Sequence, residues 1–209
     1  MKRVLHKEKS WIFPFISYEP ETKGGKLPLV IQLHGAGERG NGQDELDRVE
    51  VWGFPTLAKK GEYPCLFAFP QCPEDTFWVA RVESLLRFID QLKEFYDIDE
   101  DRIYLTGLSM GGYGTWYTAM AAPDRFAAIA PVCGGGMAWN ADMLRMPVWT
   151  FHGAEDKSVS VFSSDEMVES MRKCGLNVRY SRYDGVGHDV WKKTYDEELL
   201  NWLLSHKRK

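Results

Sequence analysis

The stretch Tyr104-Leu105-Thr106-Gly107-Leu108-Ser109-Met110-Gly111-Gly112 decides how the chain is read. Strand-forming residues run into Gly-x-Ser-x-Gly, and a helix-forming pattern starts directly after it. A serine on so abrupt a turn sits in a strained backbone conformation, so its neighbours two before and two after must be small. Gly107 and Gly111 meet that need. The turn lifts the hydroxyl off the end of the strand and aims a helix N-terminus at it. The Met110 N–H and the helix dipole then favour negative charge on a bound oxygen. Gly-x-Ser-x-Gly alone is a common accident; the flanking strand and helix make Ser109 a candidate nucleophile.

A serine hydroxyl is a poor nucleophile near neutrality and needs a base within hydrogen-bond reach. Of five histidines, His6 and His206 lie in charged terminal segments. His34 and His152 each end an apolar run and precede a glycine, where they brace turns. His188 ends Asp184-Gly185-Val186-Gly187-His188, a loop between the last strand and the last helix, which hangs a base over the sheet edge. The plain alternative is a surface-loop histidine. The base in turn needs a carboxylate to fix its tautomer. Asp156, in His152-Gly153-Ala154-Glu155-Asp156, is the candidate; it also reads as a first-turn helix charge, and Glu155 and Asp189 are alternative acids. Finally, Leu29 to Leu33 ends in His34-Gly35-Ala36-Gly37. Small residues there let the N–H of Ala36 or Gly35 join that of Met110 around a tetrahedral oxygen. The chain order serine, acid, histidine is that of the α/β-hydrolase fold.

Outward from this centre, apolar runs alternate with helical patterns, as in a mostly parallel sheet with helices on both faces. The expected strands are Trp11 to Tyr18, Leu27 to Leu33, Cys65 to Pro70, Ile103 to Thr106, Phe126 to Cys133, Pro147 to Phe151 and Val178 to Tyr183. Val82, Leu85, Leu86, Ile89, Leu92 and Phe95 recur at helical spacing. Further helices are expected after Ser109, over 162–173 and over 191–205. Residues 35–63 form a long glycine-rich and charged stretch. No helical insertion follows the run at Phe126 to Cys133, so no lid domain is expected and the site is open.

The 209 residues fit one domain over 1–209, with 44% hydrophobic content and a net charge of −4. That balance argues against nucleic acid or an anionic membrane as partner, and no run of about 18 apolar residues could span a bilayer. The short basic ends (Lys2, Arg3, Lys7, Lys9; His206 to Lys209) read as solvated termini. With no signal segment at the start, the chain reads as cytoplasmic, or extracellular if it is a domain of a longer secreted protein. Cysteines 65, 72, 133 and 174 lack the close pairs of a zinc or redox site and read as free thiols, Cys65 and Cys72 being held apart by a strand. Cys133 is a distant second candidate for nucleophile. Neither a metal nor a cofactor is expected.

The segments His34 to Gly40, Asp101 to Gly112, His152-Gly-x-x-Asp156 and Gly187-His188 together resemble the small lidless α/β-hydrolases of the phospholipase/carboxylesterase and feruloyl-esterase-like group. The likeness runs from about residue 27 to the end; residues 1–26 match least and read as an added edge strand. The resemblance implies a serine carboxylesterase acting on short or aromatic acyl esters, polysaccharide-linked ones included, with peptide cleavage or a non-catalytic binding role as alternatives. Trp191, three residues past His188, and Trp78, in the Phe77-Trp78 pair, are the candidate substrate contacts.

Overall fold

The computed structural model describes residues 1–21 and 24–208. Eight strands form one sheet: β1 (Lys2–His6), β2 (Phe15–Glu19), β3 (Leu27–Leu33), β4 (Leu66–Pro70), β5 (Ile98–Leu108), β6 (Ala128–Val132), β7 (Val148–Gly153) and β8 (Val178–Tyr183). Their order is β1-β2-β4-β3-β5-β6-β7-β8. β1 and β2 run antiparallel to their neighbours, and β4 onward is parallel. The helices are α1 (Phe54–Ala58), α2 (Val82–Phe95), α3 (Met110–Ala121), α4 (Phe162–Lys173) and α5 (Glu197–Leu204). This is the α/β-hydrolase fold.

Strand alternation sorts the core into two halves. Leu29, Ile31 and Leu33 of β3, with Ile103 and Leu105 of β5, pack under α2, α3 and α4. Val30, Tyr104 and Leu108 face the other way, onto α1 and α5. A period of two on a sheet covered on both faces produces the near-continuous apolar runs of the sequence. Because the central strands are parallel, their carboxyl ends share one edge, and the loops after β3, β5, β6, β7 and β8 meet there.

Several expectations change. The first strand is shorter than Trp11 to Tyr18: β2 starts at Phe15, and Trp11 packs edge-on against its ring. The charged N-terminus is itself a strand, paired in register with β2 from Lys2↔Glu19 to His6↔Phe15. Its Arg3 is not a solvated end; it binds the buried Glu50 through Nε and Nη2. At the other terminus, the Arg208 backbone N–H donates to Asp101 at 2.8 Å; Lys209 lies outside the described residues. The helix expected over 191–205 divides into a 3-10 segment at His188–Lys193 and α5, which Asp196 caps through the Leu199 N–H. Phe95, counted on the apolar stripe of α2, is exposed. The 35–63 stretch holds two 3-10 turns, Ala36–Glu38 and Leu46–Glu50, and α1. Between β6 and β7 the one helical piece among the described residues is the 3-10 segment Ala138–Met143.

Candidate active site

β5 delivers Ser109 to the carboxyl edge at φ 54°, ψ −116°, a strained conformation for a residue with a Cβ. The Ser109 N–H is anchored to the Val132 carbonyl at 2.9 Å. The turn leaves no room beside it: a Cβ on Gly107 would lie 2.4 Å from the Gly111 carbonyl oxygen, and one on Gly111 would lie 2.0 Å from that of Leu33. Glycine at both places is a steric requirement.

The loops after β7 and β8 complete a hydrogen-bonded relay. His188 Nε2 lies 2.9 Å from Ser109 Oγ, and its Nδ1 lies 2.7 Å from Asp156 Oδ2. Since an ionised carboxylate only accepts, Nδ1 carries the proton and Nε2 is left to accept from the serine. The Ser158 and Val159 N–H groups donate to Asp156 Oδ1 at 2.8 and 2.9 Å. Burial alone would raise the Asp156 pKa, but the hydrogen bonds from His188, Val159 and Ser158 outweigh it and hold the carboxyl below its ordinary range. The alternative acids lie elsewhere: Asp189 is exposed and paired with Lys192 at 2.8 Å, and the Glu155 N–H binds the Val186 carbonyl with no bond from its carboxylate to His188.

Met110 opens α3, where the first N–H groups have no intrahelical acceptor. Ala36 is exposed at the end of β3, and Gly35 is buried behind it. His34 Nδ1 donates to the Gly35 carbonyl at 2.6 Å, while its Nε2 accepts the Cys72 N–H at 2.9 Å. The Gly35 carbonyl and the Ala36 N–H belong to one trans peptide and point opposite ways, so this anchor aims the Ala36 N–H. Arg39 adds a second tie, donating from Nε to the Ala36 carbonyl and from Nη1 to those of Glu74 and Thr76. Burial pushes the His34 pKa down to about 4, which keeps the ring neutral as both bonds require. His34 thus braces a turn as expected.

Of the two tryptophans expected to touch substrate, Trp78 is displaced from that role. It is 0% exposed, its indole N–H bonds the His34 carbonyl at 3.0 Å, and it packs against Gly114. The 3-10 turn at 78–81 folds its large ring inward, where burial gains most. Its neighbour Phe77 is 52% exposed and takes the outward place. Phe77, Val79, Met110, Tyr113 and Tyr117 line an apolar recess of about 400 Å³ that Ala36 and Arg39 border. The sequence carried a signal for it: Met110, Tyr113 and Tyr117 recur at helical spacing on α3. Trp191 does reach the site, half-buried, its ring edge-on to His188 at 5.1 Å and tilted against Trp52.

Cys133 follows β6 at φ 41° and is buried, with its thiol pKa pushed up by burial. A buried protonated thiol is not a nucleophile. Its sulfur lies close to the pair behind Ser109: one ligand atom each from Cys133, Asp156 and His188 fall within 4.8 Å of one another. Cysteine spacing gave no sign of that grouping. Asp156 and His188 are, however, bonded to each other. Cys65 and Cys72 are free, either side of β4. Among the described residues no helix is long and apolar enough to cross a membrane.

Comparison with known proteins bears on this geometry. The chain is 42% identical to poly(3-hydroxyalkanoate) depolymerase C of Paucimonas lemoignei, over 87% of this chain and 54% of that protein. It is 32% identical to a bifunctional acetylxylan esterase/xylanase of Neocallimastix patriciarum, over 65% of this chain and 20% of that one. It therefore spans between a fifth and about half the length of these relatives. Among solved structures, a thermostable esterase superposes with a TM-score of 0.82 at 32% identity, covering 99% of this chain and 63% of its own. The model of the dienelactone hydrolase family matches residues 73–198, which include Ser109, Asp156 and His188. The chain belongs to the dienelactone hydrolase family.

Proposed function

We propose that the chain is a serine carboxylesterase that cleaves short-chain or aromatic acyl esters through an acyl-serine intermediate. The observation that carries this reading is the unbroken relay from Ser109 through His188 to Asp156. Ser109 Oγ attacks the ester carbonyl carbon as His188 Nε2 takes its proton, and Asp156 stabilises the imidazolium. The carbonyl oxygen becomes an anion held by the Ala36 and Met110 N–H groups, with Gly35 as the alternative donor. Collapse expels the alcohol, which receives the proton from Nε2. A water then repeats the sequence on the acyl-serine, releasing the acid and restoring Ser109. No step calls on a cofactor or metal.

The apolar recess beside Ala36 and Met110 supports an acyl group that is short or flat and aromatic. The β6–β7 connection carries only a 3-10 segment among the described residues, which supports an open rim that admits a bulky alcohol side. Since the relatives' names include a polyester depolymerase and an acetylxylan esterase, an ester on a polymer is within the proposed range. Trp191, against the base, is the proposed second contact.

The test is hydrolysis of p-nitrophenyl acetate and butyrate by the wild type, Ser109→Ala and His188→Ala. Each substitution is expected to lower kcat by roughly 10⁴ to 10⁶, with the double variant scarcely worse than either single one. Residual activity above about a tenth of wild type in Ser109→Ala would remove the serine mechanism.

A further inference from the structure

His152 is buried at the back of the relay and takes no part in the steps above. Four residues before Asp156, it is the penultimate residue of β7, at 0% exposure. Its Nε2–H donates to the Val159 carbonyl at 3.0 Å, and Asp156 Oδ2 lies 3.3 Å from the same nitrogen as an electrostatic contact outside hydrogen-bond geometry. Its Nδ1 lies 2.7 Å from Ser164 Oγ on α4, and that oxygen also lies 2.9 Å from the Gly134 carbonyl. The Val159 carbonyl can only accept, so the proton sits on Nε2. Burial holds the ring below the ordinary histidine range, although Val159 and Asp156 pull the other way, so it is neutral with its proton on Nε2, and the one Ser164 hydroxyl hydrogen, donated to the Gly134 carbonyl, is shared with Nδ1.

The two contacts at Nε2 converge on Asp156. One meets Oδ2, the oxygen that binds His188. The other holds Val159, whose N–H binds Oδ1. The remaining ionisable groups nearby do neither. Cys133 is a protonated thiol, Asp189 faces Lys192 in solvent, and Asp165 of α4 pairs with Arg182 of β8 at 3.6 Å and with the Tyr180 hydroxyl.

We propose that His152 is a positioning residue for the Asp156 carboxylate: its Nε2–H fixes the Val159 peptide whose N–H binds Oδ1, and its positive edge 3.3 Å from Oδ2 tunes how strongly the pair holds a proton at His188. The inference rests on the reading of Ser109, His188 and Asp156 as the catalytic relay. Positive charge beside the carboxylate weakens its hold on an imidazolium. His188 must be neutral to accept the serine proton, so losing His152 strengthens that hold and moves the acid limb of kcat/KM to higher pH.

The experiment measures kcat, KM and the pH profile of p-nitrophenyl butyrate hydrolysis for the wild type, His152→Leu and His152→Gln. In the leucine variant kcat is expected to fall roughly tenfold with KM nearly unchanged, and the acid limb to move up by roughly half a pH unit. Glutamine places an amide N–H where Nε2 stood, and is expected to recover kcat to within about threefold and to return the limb. An acid limb unmoved in His152→Leu, or a glutamine variant as impaired as leucine, overturns the proposal. Nitrogen-15 NMR of wild-type histidines tests it without any variant: the Nε2–H tautomer is expected for His152, and an Nδ1–H tautomer overturns it. Ser109→Ala keeps the two readings apart. If it stays active the relay itself is wrong; if it is inactive while the His152 results go the other way, only the positioning role fails.

Discussion

Three hydrogen bonds fix the Asp156 oxygens, from His188 at Oδ2 and from the Ser158 and Val159 N–H groups at Oδ1, and His152 Nε2 lies 3.3 Å from Oδ2. Asp156, read from sequence as the candidate acid with a helix-start charge as the plain alternative, is bonded to His188 and to two backbone N–H groups. Asp156→Asn puts an amide N–H against His188 Nδ1 and favours the wrong tautomer, with an expected loss in kcat of about 10³ to 10⁴. Asp189→Asn and Glu155→Gln are expected to cost less than about tenfold, since neither carboxylate bonds His188. Single-turnover rates for the three variants check this, and a crippled Glu155→Gln would mean the acid is misplaced by one residue.

At the scale of elements, α3 has two jobs that its sequence separates by face. Gly111, Gly112, Gly114, Thr115 and Trp116 are buried, while Met110, Tyr113 and Tyr117 line the recess with Phe77 and Val79. An aromatic acyl group resting on these rings gains roughly 0.5–1.5 kcal/mol beyond its buried area. Tyr117→Ala is therefore expected to lower kcat/KM for a cinnamoyl ester about fivefold while leaving an acetyl ester within about twofold. Equal losses on both esters would move the acyl site elsewhere. Beside the open site expected from the sequence stands an apolar recess of about 400 Å³. Across p-nitrophenyl esters of increasing length, kcat/KM is expected to gain nothing beyond about six carbons, because outer methylenes stay in water. A maximum at ten carbons or longer would require a groove built from residues 35–63.

For the whole molecule, burial of histidines couples the fold to pH. His6, His34 and His152 all have lowered pKa values, burial being the largest cause in each. Such a group binds its proton in the unfolded chain at higher pH than in the folded one. Stability therefore falls as pH drops below the unfolded value, and stops falling below the folded one. For His34 the window runs from 6.5 to about 4, a loss of up to about 3 kcal/mol across it. Asp156, lowered by its hydrogen bonds against the effect of burial, adds stability above the unfolded aspartate range that is lost on further acidification. Urea midpoints measured from pH 7 to pH 4 should decline through this window, and His34→Gln should flatten the decline. A wild-type midpoint independent of pH over that range would mean the buried rings are charged or already exchange with solvent.

The elbow around Ser109, the serine–acid–histidine order and the layered parallel sheet were legible in the sequence because each is a local pattern. Glycines must flank a strained turn, and strands covered on both faces must be apolar at nearly every position. What the sequence could not settle depends on which way a side chain turns once distant segments meet. Phe77 and Trp78 are adjacent and equally aromatic, yet only packing against His34 and Gly114 sends the tryptophan inward. The basic N-terminus read as solvated because the acid that pairs Arg3, Glu50, lies 47 residues away. Cys133 joined the site's inner wall, and His152 the carboxylate, only when β6, β7 and β8 were laid side by side. Local patterns set the backbone course and the reacting groups; long-range packing decided burial, the tautomers and the shape of the recess, because those depend on neighbours that sequence spacing does not name.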